Sequence, residues 1–248
     1  MRSLLLVGFV LLCSVPASAQ ILSSSPIRRA PQPAAAPTDD GPEMVWRYRP
    51  SGGTSAGLSG RTGNRSVLGR AHDGLGGGPI YAIEMGERND KPCYMKVFYS
   101  WQNAQYRASK EFDVCGSAGP TSSSRERIGA ATPAQGTRIP ALRSLRVCSN
   151  DRNGANYRVK GLRLGRARVT ESGEGSVQAL PGNDYLLSRS NCREWEQTRT
   201  CPANQVIIAI DVHYTLESGR GAISGLTPHC GAPSHEEMQS DTCRPGGC

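Results

Sequence analysis

The feature that most constrains this chain is the placement of its cysteines behind an export-type leader. Eight of the nine cysteines follow residue 19: Cys93, Cys115, Cys148, Cys192, Cys201, Cys230, Cys243 and Cys248. The ninth, Cys13, lies inside the leader. An even set in an exported chain reads as a disulfide framework, which places the protein in a secreted or periplasmic space and makes the sulfurs staples rather than nucleophiles. The leader has its three parts. Arg2 supplies the positive start, Leu4 to Leu12 the apolar run, and Ala17-Ser18-Ala19 the small-residue cleavage site. The run is too short to span a bilayer, and no later stretch is apolar enough to act as a transmembrane segment.

The remaining length suits one or two domains. Residues 20–78 read as a tether. Pro26, Pro31, Pro33 and Pro37 come with almost no large apolar residue, and from Pro50 to Gly78 glycine and serine dominate. Such text offers too little apolar surface to offset the entropy of ordering. One hydrophobic island, Met44, Val45, Trp46 and Tyr48, is a candidate edge strand.

Residues 79–248 read as an all-β domain. Ile80 to Ile83 opens the first strand, and Tyr94 to Tyr99 is aromatic and β-branched. Ala141 to Val147 follows, then Tyr157 to Val169, whose alternation slips near Gly161 and Gly165. Glycine at such a slip marks a bulge. The clearest strand is Val206 to Tyr214, with Val206, Ile208, Ile210, Val212 and Tyr214 on one face. Gln102 to Phe112 reads equally as helix, strand or loop. An internal echo joins Val97 and Tyr99 to Val212 and Tyr214, and an aliphatic or aromatic residue shortly precedes Cys115, Cys148 and Cys230. Repeated strand–turn–strand units point to a pseudo-symmetric body.

The stretch from Cys201-Pro202 through Val206 to Tyr214, then Gly221 to Leu226 and Cys230, resembles the strand pairs of β-prism proteins. Gly76-Gly77-Gly78-Pro79, Ile80 to Ile83 and Met95 to Tyr99 repeat the scheme. The likeness is to jacalin-like lectins and vitelline-membrane outer-layer proteins, over roughly residues 75–230. It implies three Greek-key sheets about a pseudo-threefold axis and a sugar site in the loops. The lectins carry a Gly-x-x-x-Asp sugar loop near the domain end. Here that pattern occurs early, as Gly86 to Asp90 and as Gly69 to Asp73, which departs from the family arrangement.

Several constellations bear on chemistry. Cys192 and Cys201 bracket an eight-residue segment and read as a bridged hairpin with Trp195 on its turn. Cys93–Cys115 or Cys201–Cys230 would tie neighbouring strands, and Cys243 and Cys248 would anchor the tail; spacing alone leaves the map open. His229, Cys230, His235, Cys243 and Cys248 could ligate zinc, but their spacing does not match paired short-spaced knuckles, so no metal and no cofactor is implied. Asp211 and His213 share a strand face, the arrangement that orients an imidazole in a hydrolase, yet no Gly-x-Ser-x-Gly elbow accompanies them.

The basic side is nearly all arginine, 25 of the 29 cations. Nine cations lie between Arg138 and Arg168 against the lone Asp151. On adjacent strands they make a face that attracts polyanions. Few aromatics interleave, and the leader argues against an intracellular nucleic-acid role. The sequence therefore points to a secreted binding or structural domain for glycans or acidic polymers at a cell envelope or extracellular matrix. The contact candidates are Tyr99, Trp101, Trp195, Arg158, Lys160, Arg163, Arg166 and Arg168. A secreted hydrolase using Asp211 and His213, and a toxin-like module that binds another protein, are the alternatives.

Overall fold

Period-two alternation runs through most of this chain, and the fold is what that period dictates: antiparallel sheets with one face turned to a shared interior. The computed structural model describes residues 44–63, 65–70, 78–100, 109–117, 119–131, 138–151, 156–217 and 220–237. Trp101, Cys243, Cys248, the leader and residues 20–43 of the tether lie outside them.

The first sheet is built from β4 (Ile80–Arg88), β5 (Lys91–Tyr99), β6 (Ser109–Asp113) and β7 (Glu126–Gly129), in the order β6-β5-β4-β7. The second is built from β8 (Arg138–Ser149), β9 (Val159–Thr170), β10 (Ser176–Ser188), β11 (Glu194–Trp195) and β12 (Arg199–Thr200). Its order is β10-β9-β8, with β11 and β12 both against β8. The closing sheet joins the two ends of the body. β13 (Val206–Glu217) and β14 (Arg220–Glu237) form its centre, β1 (Met44–Ser55) and β3 (Arg65–Arg70) flank them, and β2 (Ser59–Gly60) pairs β14.

Each sheet is one long hairpin with a strand added on either side. In the first two, three consecutive strands are followed by a return beside the first of them, which is the Greek key. The closing sheet has the same spatial order with its members split between the two ends. One core serves all three. Ile83 and Met95 of the first sheet, Leu145 and Leu162 of the second, and Ile210 and Ile223 of the third are all fully buried within it. Three Greek-key sheets about one core make a β-prism. A second cluster, with Tyr48, Ile139, Val169 and Val206, fills the seam between the closing and second sheets.

The phase slips at Gly161 and Gly165 are present. The β8–β9 register shifts between Leu142 and Ser144, opposite Gly165, and between Cys148 and Ser149, opposite Gly161. A side chain at Gly165 would collide with Ser144, whose Oγ lies 2.0 Å from where its Cβ would stand.

Two expectations are corrected. Residues 44–70 do not belong to a tether: β1, β2 and β3 pair with β13 and β14 and complete the closing sheet. The glycine-rich text conceals this because backbone ladders need no side chain. The Cys192–Cys201 hairpin bridge does not form either. Cys148 pairs with Cys192, while Cys93–Cys115 and Cys201–Cys230, the two pairings expected to tie neighbouring strands, both form. β11 and β12 run back along β8, so the segment is strapped across the second sheet and carries its two sulfurs to different partners. The Cys201–Cys230 bridge is buried in the main core and ties the end of the second sheet to β14. Disulfides of this kind typically contribute about 2–4 kcal/mol each.

Candidate functional site

Alternation along β9 sorts its cations by face. Leu162, Leu164, Ala167 and Val169 point into the core, which leaves Arg166 and Arg168 on the opposite side. Arg168 lies across from Pro140 on β8 and from Gln178 on β10, and Arg166 lies across from Leu142 and Leu180. Arg138 of β8 sits one pairing step further along, opposite Thr170. These side chains border a groove of about 390 Å³ between the second sheet and the edge of the first. Pro140 and Leu180, each across a strand pair from one of these arginines, add apolar surface, Tyr185 lines it from β10, and Tyr81 and Ala130 line it from the first sheet.

Tyr185 reaches the groove through an irregularity in β10. Register is lost between Leu180 and Tyr185, where Gly182 and Asn183 take φ of 76° and 51°. The bulge is pinned by Arg163, whose Nε donates to Asp184 Oδ2 at 2.8 Å. The Arg166 guanidinium then lies 5.3 Å from the centre of the Tyr185 ring, which holds it over an aromatic face. Among the described residues, no carboxylate forms an ion pair with Arg138, Arg166 or Arg168, and no acidic side chain lines the groove.

The other candidates are elsewhere. Tyr99 is 1% exposed within the main core, where burial drives its phenol upward; it cannot touch a ligand. Its strand alternation placed it among the inward residues, which an aromatic residue at a strand end does not announce. Lys160 is also corrected. It is the extra residue of the bulge opposite Cys148, is fully buried, and donates to the Asp90 carboxylate at 2.5 Å, with Glu87 at 3.5 Å. The Lys160 hydrogen bond is the main cause that holds Asp90 below the usual carboxylate range. Asp90 stands in the two-residue β4–β5 turn, whose Asn89 and Asp90 both take positive φ, the geometry of a type I′ hairpin. The Gly86-to-Asp90 pattern is thus part of this ion cluster. Arg158 is half-buried and its charge also bears on Asp90.

Trp195 is half-buried rather than presented on a free turn. It pairs with Cys148, and Arg146 donates to its carbonyl at 3.1 Å and to that of Glu196. Asp211 and His213 do not bond each other. Asp211 Oδ2 meets His229 Nε2 at 2.7 Å, and His213 Nε2 meets Thr227 Oγ1 at 2.9 Å. Cross-strand neighbours on β14 take both partners, a pairing invisible without the register. Burial lowers the His213 imidazole, partly opposed by Asp211.

Of the eight contact candidates, the structure brings Arg166 and Arg168 together. It adds Arg138, Tyr81, Pro140, Leu180 and Tyr185. Arg138 was visible as the first member of the basic stretch. Tyr185 had a weaker signal, the Pro181-Gly182-Asn183 turn text just before it.

No family model matches the chain, and no curated protein matches it in sequence. Among solved structures it is similar to a Calystegia sepium agglutinin, with 10% identity over 74% of this chain and 97% of that one and a TM-score of 0.43. A mannose-specific jacalin-related lectin from Morus nigra, solved with mannose, shows 12% identity over 73% and 98%, with a TM-score of 0.45. A single-chain recombinant jacalin shows 8% identity over 77% and 95%, also at 0.45. The assignment of three Greek keys rests on the strand order itself.

Proposed function

We propose that this chain is an exported, non-catalytic recognition domain that binds glycans or other acidic polymers at a cell envelope or in an extracellular matrix. The observation that carries the reading is the groove of the second sheet. Among the described residues, three arginines without acidic partners border one groove, and such a cluster in one place raises the local concentration of anions. Arginine forks match carboxylate, sulfate and phosphate oxygens two at a time. The three disulfides support the extracytoplasmic placement, since such bonds persist in oxidising compartments.

The test is retention of the chain on immobilised polygalacturonate, heparin and neutral dextran at about 50 mM and about 200 mM salt. Contacts to anionic groups weaken as salt rises. The expected result is retention on at least one polymer at low salt. Absence of binding to all three would reject the function.

A further inference from the structure

We infer that the groove takes an acidic polysaccharide, its carboxylate or sulfate groups spaced along β9, and that neutral sugars are not its ligands. The inference rests on the binding-domain reading above and narrows its ligand class. Four observations carry it.

The cations form a file rather than a cup. Arg166 and Arg168 alternate on β9, so their Cα atoms stand about 7 Å apart on one face. Arg138 continues the line on the neighbouring strand, one pairing step past Arg168. The file therefore extends about 14 Å. A free phosphate is held by donors converging on one point; a file of forks fits anions repeated along a chain. Beside the cations lies an apolar floor made by Pro140 and Leu180, each across a strand pair from an arginine. A bare polyanion such as polyphosphate has no use for that floor, whereas a sugar ring presents C–H faces to it and to the Tyr185 rim.

One member of the file is also pre-set. Arg166 is stacked on Tyr185, and Tyr185 is placed by the bulge that Arg163 and Asp184 pin. Side chains already ordered lose less entropy when a ligand binds. Finally, the first sheet adds a cation next to the groove residues Tyr81 and Ala130. The Arg127 guanidinium lies 4.3 Å from the Phe98 ring centre and 5.7 Å from that of Tyr81, and its Nη2 donates to the carbonyl of Ala130, a groove residue, at 3.2 Å. The first sheet thus carries a cation beside the groove, in contact with two of its lining residues.

The experiment titrates the full chain with polygalacturonate (carboxylate), dextran sulfate (sulfate), neutral dextran and single-stranded DNA. The same titrations are run on Arg166→Ala/Arg168→Ala and, as an independent variant from another strand, on Arg138→Gln. Binding to at least one acidic glycan is expected to fall about tenfold or more in the double variant. The salt slope of log K should shrink by about one per arginine removed. Arg138→Gln should weaken binding by a smaller factor, and neutral dextran should not bind. The two glycan arms tell carboxylate from sulfate. Wild-type affinity for acidic glycans in both variants overturns the inference while leaving a glycan-binding function standing. So does binding of neutral dextran that ignores salt. Tighter binding of single-stranded DNA than of either glycan overturns it as well. No binding to any of the four polymers sinks the functional reading together with it.

Discussion

Lys160 and Arg168 occupy the two ends of one strand and carry the same charge, yet their surroundings differ in kind. At the Lys160 end the ammonium is buried, with 1% of its side chain exposed, and it clasps Asp90 and Glu87 from the first sheet. Arg189 joins the same cluster, 3.1 Å from Glu87 and bonded to the carbonyls of Met85 and Ser124. Charge there is spent internally, locking the second sheet to the β4–β5 hairpin. At the Arg168 end three arginines line a trough with no acid among its described residues. What separates the buried cation from the groove cations is therefore not its strand, its spacing or its type, but whether another element delivers a carboxylate to it.

That contrast can be broken most directly at Lys160. Lys160→Ala leaves Asp90 and Glu87 without their buried partner. Because Asp90 is over half exposed, the expected loss is about 1–3 kcal/mol, below the about 3–5 kcal/mol of a fully buried pair. Urea unfolding measures it, and acidic-glycan affinity of the folded variant should stay at the wild-type level. The reverse pattern is expected at the groove: Arg166→Ala/Arg168→Ala should leave the unfolding free energy within about 1 kcal/mol of wild type while glycan binding collapses. Equal losses of stability in the two variants would erase the distinction between the ends.

A finer probe is the acid limb of the stability profile. Asp90 titrates below its ordinary 3.8 because Lys160 bonds its charged form. A depressed carboxylate stabilises the fold above the unfolded value, and that contribution disappears as pH falls through the lower folded value. Melting temperature should thus fall as pH drops below about 4, and Asp90→Asn should flatten that part of the drop. The smallest effect is expected at Arg163→Ala. Its partner Asp184 is a surface neighbour, so unfolding should change by less than about 0.5 kcal/mol and glycan affinity by less than about twofold, through slight loosening of the Tyr185 bulge.

Much of the body could be read from residues alone. Alternation from Val206 announces β13, and the glycines at 161 and 165 mark real register shifts. The internal echo led to the right symmetry through the wrong pairing. Val97 and Tyr99 lie on the second strand of their central hairpin, whereas Val212 and Tyr214 lie on the first strand of theirs. The N-terminal strands were hidden because glycine was read for its entropy. Gly60 and Gly63 are small because strands press on them: an added Cβ would stand 2.6 Å from Ser224 O and 1.9 Å from Tyr214 O respectively. The site was half legible for a related reason. A run of arginines is visible in one dimension, but the acids that silence Lys160 and Arg163 come from other elements, and only the three-dimensional register tells which cations remain.

The split membership of the closing sheet has a consequence for how this body is made. The first two sheets are continuous in sequence and can assemble as soon as their own strands are available. Met44–Ser55 and Arg65–Arg70 cannot, because the hairpin they flank is delivered last. Until Val206–Glu237 arrives, those early segments wait with open backbone edges. Completion of the fold is thus gated by a final long-range zipping step, slow by its contact order and exposed to mispairing while it lasts.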